Sequence, residues 1–129
     1  MKMRFILTAF VSCLVVLGTI GVTKVDAAPN VIDFELEIEL KDHTKIDIEY
    51  EVENNKIEAK YKVPGSATKY GQDALVMIEP LLKELKLTPN VNGAELKTQT
   101  LSIFEVNVND IDEFELEIKF DNGQKVKID

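Results

Sequence analysis

The sequence has few of the residues that give small domains covalent stability or catalytic groups. Its 129 residues include one cysteine, one histidine and no tryptophan. Cys13, the only cysteine, lies in an apolar run near the amino terminus, so the rest of the chain has no disulfide and depends on its hydrophobic core. Zinc sites built from cysteine and histidine are therefore excluded. No glycine-rich phosphate-binding motif is present either.

Residues 1–27 differ in composition from the rest of the chain. Two basic residues near the start precede apolar or small residues over 5–22, and Ala27 lies where a signal peptidase would cut. This order is typical of a secretory signal peptide. We predict cleavage after Ala27, which leaves a single domain over residues 28–129.

Two other interpretations of this segment stay open. Residues 5–22 reach the lower length limit for crossing a bilayer, so an uncleaved membrane anchor is one alternative. A lipoprotein attached through Cys13 is the other, although the apolar run continues well past this cysteine. We expect a secreted protein outside the cell or in the cell envelope, with anchoring by residues 5–22 as the alternative location.

Basic residues are outnumbered by acidic ones. The chain has 15 lysines and arginines against 23 aspartates and glutamates, and removal of residues 1–27 takes away three basic residues and one acidic residue, which leaves a net charge of −10. Nucleic acid and anionic lipid both need a basic surface, so neither is expected as a partner. Cationic partners are compatible with this charge.

One segment of the sequence occurs twice. Residues 34–49 and 114–129 share seven of sixteen positions, including the complete FELEI motif at the start of each copy. Apolar and charged residues alternate in both copies around a short turn, which predicts two half-buried β-hairpins. With one further strand we expect five strands, at about residues 32–40, 44–52, 56–63, 111–120 and 124–129.

The alternation also predicts the turns, because residues that face each other in an antiparallel pair must share a face. It requires three-residue loops at 41–43 and 121–123 and a two-residue turn at 54–55. Gly123 suits the left-handed position of its loop, whereas His43 fills the same position in the first hairpin and predicts more strain there. Because strand 124–129 is lysine-rich, we expect it beside the acidic first strand.

Two segments have helical spacing of apolar residues. They cover about residues 71–86 and 93–104, and Asn92 with Glu95 predicts a capping box at the start of the second. The expected fold is therefore α+β, with a five-stranded, mainly antiparallel sheet, two helices on one face, and the chain order β-β-β-α-α-β-β.

Nucleophilic catalysis needs a nucleophile beside a base. After residue 27 the chain offers Ser66, Ser102, several threonines and His43, and the histidine falls in a predicted hairpin tip. The many carboxylates lie on the polar face of alternating strands, with no apolar pocket predicted to raise their pKa. We expect no enzyme, no catalytic residues and no cofactor.

Two other groups of residues are candidate binding sites. Residues 107–113 are rich in carboxylate and amide oxygens but lack the glycine and the distal glutamate of a calcium-binding EF-hand loop. Tyr50, Tyr61 and Tyr70 offer aromatic surface for a ligand, although the first two fall on the apolar face and are expected in the core. We assign no metal or cofactor ligands.

The order of these segments resembles the YusW-like family of small exported proteins of Bacillus-type bacteria. The resemblance covers about residues 32–128 and rests on element order and on the FELEI…DNGQKV hairpin. It implies an extracytoplasmic or lipoprotein-like domain of unknown function and identifies no functional residues.

The function expected from these features is a non-enzymatic cell-envelope domain that binds another protein or a cationic peptide. Its acidic face or an edge of its sheet would make the contact. The alternative is a calcium-binding or calcium-stabilised wall protein, with residues 107–113 or the strand carboxylates as ligands. A hydrolase that uses two carboxylates is a third hypothesis.

Overall fold

The computed structural model describes residues 29–129. The predicted signal peptide, its cleavage site and the alternative anchor at residues 5–22 lie outside the described residues. Within residues 29–129, no helix has the length and hydrophobicity needed to cross a membrane.

The described chain has six strands and two helices, which confirms the α+β class. In order these are β1 (Val31–Leu40), β2 (Lys45–Glu53), β3 (Lys56–Lys62), β4 (Lys69–Tyr70), α1 (Gly71–Leu85), α2 (Gly93–Ile103), β5 (Ile111–Phe120) and β6 (Lys125–Ile128). The prediction of five strands was wrong because it omitted β4. This strand has two residues, too few to show any alternation, and it forms only by pairing with Lys60 and Tyr61 of β3.

All pairs in the sheet are antiparallel, and the strand order is β4-β3-β2-β1-β5-β6. The lysine-rich strand β6 therefore does not lie beside β1. The prediction made from its charge was wrong. β5 takes that place, and β6 pairs with β5 alone. Pairing of the two ten-residue strands joins Leu36 to Leu116 and buries both completely or nearly so, and this apolar contact outweighs the modest gain from surface charges.

The turn predictions are confirmed. Ile38 faces Ile46 across the first hairpin, and Ile118 faces Val126 across the second. In the two three-residue loops His43 has φ 72° and Gly123 has φ 91°. In the first loop the Thr44 hydroxyl donates to the Asp42 side chain at 2.6 Å, and the Thr44 N–H donates to it at 3.0 Å. These two hydrogen bonds lower the pKa of Asp42.

The helices pack on the apolar face of the sheet. The Asn92 side chain accepts a hydrogen bond of 3.0 Å from the Glu95 N–H, which confirms the Asn92 half of the predicted capping box. Thr100 is fully buried and donates to the Leu96 carbonyl at 2.7 Å, so this polar group is satisfied inside the core. Apolar residues from four strands and both helices form one cluster around it, including Phe34, Ile48, Ile78, Leu81, Leu96, Leu116, Ile118 and Phe120.

The strained position in the first hairpin gives a stability prediction. His43→Gly removes a Cβ from a left-handed backbone and is expected to raise the free energy of unfolding by up to roughly 1 kcal/mol. Gly123→Ala puts a Cβ into the equivalent position and is expected to lower it by about 1 kcal/mol. Urea titrations of the two variants and the parent protein measure both changes. A loss of stability in His43→Gly would contradict the strain.

Candidate functional site

The face of the sheet opposite the helices is polar and carries the main concentration of charge. Side chains on this outer face come from every second position of the strands, and the register lines them up in rows across the sheet. Glu35 of β1 lies opposite Glu49 of β2 on one side and Glu117 of β5 on the other. Glu37 of β1 lies in the same way between Asp47 and Glu115. We call these six carboxylates the acidic rows.

Lysines bracket the acidic rows at both ends. Lys60 and Lys62 of β3 face the β2 carboxylates, and Lys127 of β6 faces Glu117. Each row therefore has three carboxylates at its centre and lysine at one or both ends. Opposed residues in neighbouring strands have Cα atoms roughly 4.5–5.5 Å apart, so each row holds three like charges in adjacent positions.

The ion pairs neutralise one row. Lys45 Nζ lies 2.8 Å from Glu37 Oε2, Lys60 Nζ lies 3.0 Å from Asp47 Oδ2, and Lys127 Nζ lies 3.8 Å from Glu115 Oε2. The hydrogen bond to Glu37 raises the pKa of Lys45, and the hydrogen bond to Asp47 raises the pKa of Lys60. All three lysines thus contact the row that contains Glu37.

The other row has a pair of carboxylates without such a contact. Within residues 29–129, no ion pair of 4.0 Å or shorter reaches Glu35 or Glu117, although these two residues face each other across β1 and β5. Both are half-buried, so water screens their repulsion less than it would for fully exposed groups. This pair therefore places two like charges in adjacent positions with no ion pair to offset them among residues 29–129.

Two depressions lie on the same face. One, of about 130 Å³, is lined by the acidic rows themselves. The other, of about 390 Å³, lies towards β3 and β4, where Lys60 and Tyr70 join Glu35, Glu49, Glu51 and Glu58 around it. Tyr70 is 65% exposed, so its ring is available to a ligand beside the carboxylates.

The candidates for catalysis lie on separate elements. His43 is exposed at the tip of the first hairpin, Ser66 lies in the loop after β3, and Ser102 is exposed near the end of α2. No hydrogen bond among residues 29–129 joins His43 to either serine. The geometry brings together carboxylates instead of a nucleophile and a base.

The oxygen-rich segment 107–113 forms a single turn of 3-10 helix followed by the start of β5. The Asn107 side chain accepts from the Asn109 N–H at 2.9 Å, and the Asp110 carbonyl accepts from the Lys41 N–H at 2.9 Å. One of the side-chain oxygens expected as a calcium ligand, that of Asn107, therefore holds the turn, and the backbone of Asp110 docks the segment on the first hairpin. In residues 29–129, no group of three histidine, cysteine, aspartate or glutamate side chains has the proximity needed to hold a metal ion.

Of the three tyrosines, Tyr50 and Tyr61 are half-buried against the core, and burial raises the pKa of both. Tyr61 also lines a depression of about 440 Å³ on the helix side of the sheet, where Val63 and Phe104 lie beside polar residues such as Asn107 and Asp110. Tyr70 alone lies on the outer face, opposite Lys60.

Sequence reasoning missed the contribution of β5 to the acidic rows. It placed the lysine-rich strand beside β1, and Glu115 and Glu117 were left out as a result. A signal was present, because FELEI has the same class of residue at each position when read in either direction. The two copies pair antiparallel about Leu36 and Leu116, which sets each glutamate opposite a glutamate.

The repulsion within this row gives a stability prediction. Glu35→Gln removes a charge that faces Glu49 and Glu117, so the free energy of unfolding is expected to rise by roughly 0.2–1 kcal/mol at low salt. Glu53→Gln is the matched control, because Glu53 faces Lys56 and its loss is expected to be neutral or mildly destabilising. Thermal melts at 20 mM and 500 mM salt measure the difference, which should shrink at high salt. A Glu35→Gln protein no more stable than its parent at low salt would contradict the repulsion.

Comparison with known proteins bears on the family alone. No curated protein matches the chain, and no solved structure matches it. The family model described as YusW-like protein matches residues 32–122, which span all of the sheet except β6, together with both helices. The match covers well over half of the chain, and the chain belongs to the YusW-like protein family.

Proposed function

We propose that this protein is a non-enzymatic domain of the cell envelope that binds a cationic segment of another protein, or a cationic peptide, through the acidic rows. The observation that carries the proposal is the pair Glu35 and Glu117, which oppose each other half-buried with no ion pair among the described residues. Glu49 extends the same row on the other side of Glu35.

Repulsion within the row that contains Glu35 destabilises the folded domain. Like charges directly opposite in a sheet destabilise it by a few tenths of a kcal/mol each, up to about 1 kcal/mol. An ammonium or guanidinium group brought by a partner converts that repulsion into attraction. A ligand that relieves native-state repulsion binds the folded state selectively, so the same charges that weaken the free domain favour the complex.

The form of the surface favours binding over catalysis. A catalytic carboxylic acid needs an apolar environment that keeps it protonated near neutral pH. The smaller depression on the outer face is walled mainly by carboxylates, and the larger one combines four glutamates with Lys60, two tyrosines, Ile57 and Ala59. The carboxylates in adjacent positions of one sheet face suit a long positively charged segment that touches several of them at once.

The proposed location is the cell envelope or the extracellular space. Its support is the composition of residues 1–27, in which a basic start precedes a long apolar run and a small residue at the cleavage position. The acidic balance of the remaining chain keeps such a domain soluble and away from anionic lipid headgroups. Anchoring by residues 5–22 would leave the same face available to partners.

Binding to a lysine-rich peptide tests the proposal. A decalysine peptide is expected to bind the protein with an affinity that falls steeply between 50 mM and 300 mM salt, because ion pairs supply the attraction. The double variant Glu35→Gln/Glu117→Gln is expected to weaken binding by about tenfold, the effect of losing roughly 1.4 kcal/mol. Isothermal titration calorimetry at both salt concentrations gives the two affinities.

The matched control removes the same charge from the helix layer. Glu79→Gln/Glu84→Gln alters two exposed glutamates of α1 and should bind like the parent protein if the acidic rows form the site. Equal weakening by both double variants would mean that net charge alone attracts the peptide. A pull-down from envelope extract that recovers no partner at either salt concentration would also count against the proposal.

The calcium alternative, with residues 107–113 or the strand carboxylates as ligands, makes a different prediction. A specific calcium site must raise the melting temperature at millimolar Ca²⁺, because the ion binds the folded state only. Melts with Ca²⁺ and with Mg²⁺ at equal ionic strength separate specific binding from screening. Equal shifts with the two ions, or no shift, would end the calcium hypothesis.

A further inference from the structure

One edge of the sheet is only partly covered. β4 pairs with β3 at Lys60 and Tyr61, and Gly71, with φ 59°, then turns the chain into α1. Among residues 29–129, the segment 56–59 of β3 has a strand partner on its β2 side alone. Half of this edge strand is therefore left open beyond the end of β4.

The turn before β3 determines which backbone groups point out of the open edge. Asn54 and Asn55 both have positive φ, 54° and 64°, as a type I′ two-residue hairpin requires. In such a hairpin the flanking residues Glu53 and Lys56 form a hydrogen-bonded pair, and bonded and non-bonded pairs alternate from there. The N–H and C=O groups of Ile57 therefore point away from β2, into the open edge.

The side chains along this half-edge are complementary to themselves. Lys56 and Glu58 lie on the outer face with opposite charges, and Ile57 lies between them on the other face with 42% of its surface exposed. A purely basic strand would be attracted by Glu58 but repelled by Lys56. A strand with the order Lys-Ile-Glu that runs antiparallel meets an opposite charge at both positions.

We propose that the open half of β3 pairs with the same segment of a second copy of this chain, antiparallel about a two-fold axis at Ile57. In that register Ile57 faces Ile57 of the other copy, and each Lys56 faces the other copy's Glu58. The two isoleucines exchange a pair of backbone hydrogen bonds and cover each other's exposed side chains. This contact is isologous, so it closes at two copies.

The charges select this register over its neighbour. In the neighbouring register, Ile57 of each copy forms hydrogen bonds with Ala59 of the other. Glu58 then faces Glu58 of the other copy, which is repulsive. The opposite edge of the sheet is less suited to self-pairing, because the outer face of β6 carries Lys125 and Lys127 with no carboxylate between them. The edge at Ile57 is the one whose side chains fit a second copy.

Such a dimer has a consequence for the acidic rows. Both copies would present the same face of one continuous sheet, because the two-fold axis is perpendicular to the sheet. A long cationic partner could then reach two sets of acidic rows, and the second contact would be intramolecular. The pairing itself does not depend on whether a cationic partner exists.

Charge exchange at Lys56 and Glu58 tests the pairing. Lys56→Glu alone and Glu58→Lys alone each place like charges across the two-fold axis and are expected to be monomeric. An equimolar mixture of these two variants restores opposite charges at both positions and is expected to dimerise. The double variant Lys56→Glu/Glu58→Lys is expected to dimerise with itself, which the neighbouring register would not allow.

Sedimentation velocity of the purified protein between about 10 µM and 1 mM measures each state, a range suited to a contact of this small size. Hydrogen exchange of the Ile57 amide should slow with rising concentration of the parent protein, while the Lys127 amide on the other edge should not change. Circular dichroism melts confirm that every variant is folded before it is scored.

The outcomes separate the possible occupants of the edge. Association of the mixture and of the double variant, with monomeric single variants, supports the pairing. A parent protein that stays monomeric at 1 mM overturns it, and so does a dimer that the single variants leave intact. An alternating lysine–valine peptide could protect the Ile57 amide from exchange while the concentration of the parent protein has no effect on it. That result would assign the edge to a foreign strand and overturn the pairing of copies.

Discussion

The pairing of β1 with β5 is the contact on which the rest of the structure depends. Both are interior strands of the sheet, and each carries one copy of the FELEI segment. Their inner side chains, among them Phe34, Leu36 and Ile118, are all completely or nearly buried under the helices. The same register sets the outer glutamates against each other, so one pairing provides the core on one face and the concentration of charge on the other.

The apolar residues and the charged residues of the strands differ in how much they contribute to the choice of strand partners. Burial of leucine, isoleucine and phenylalanine contributes roughly 1.5–3 kcal/mol per side chain, whereas each like-charge contact costs at most about 1 kcal/mol. The apolar pattern therefore determines which strands pair. The charged residues on the outer face then lie beside like charges wherever that pairing places them. Glu35 and Glu117, which no ion pair reaches among residues 29–129, are the part of this surface proposed to meet a partner.

Local features of the fold were predictable from the sequence because their causes are local. Parity of alternating residues gave the hairpin registers, and the Asn92 cap and the two asparagines of the β2–β3 turn follow from side-chain chemistry at single positions.

Strand order was not predictable in the same way. It depends on the total area buried when whole strands meet, and surface charge on β6 was a weaker and misleading guide. The two-residue strand β4 left no pattern to detect, and the acidic rows were only half visible without the correct neighbour of β1.

The two proposed surfaces use different residues, although Ile57 and Glu58 of the open edge also line the larger depression beside the acidic rows. The acidic rows lie at the centre of the outer face, while the open edge lies along β3, where Lys60 is already held by Asp47 at 3.0 Å. Changes at Lys56 and Glu58 therefore leave the central carboxylates unaltered, and neutralising Glu35 leaves the edge unaltered. Either surface can fail its test without the other.

The central claim is that the acidic rows are a binding surface and not merely a solvated face. An amide chemical-shift map of the ¹⁵N-labelled protein, recorded during titration with a lysine-rich peptide, tests it most directly. The account predicts saturable shifts concentrated on β1 and β5 around Glu35 and Glu117, with smaller changes on β2. Shifts confined to the helices and loops, or shifts that grow without saturation over the whole surface, would contradict it.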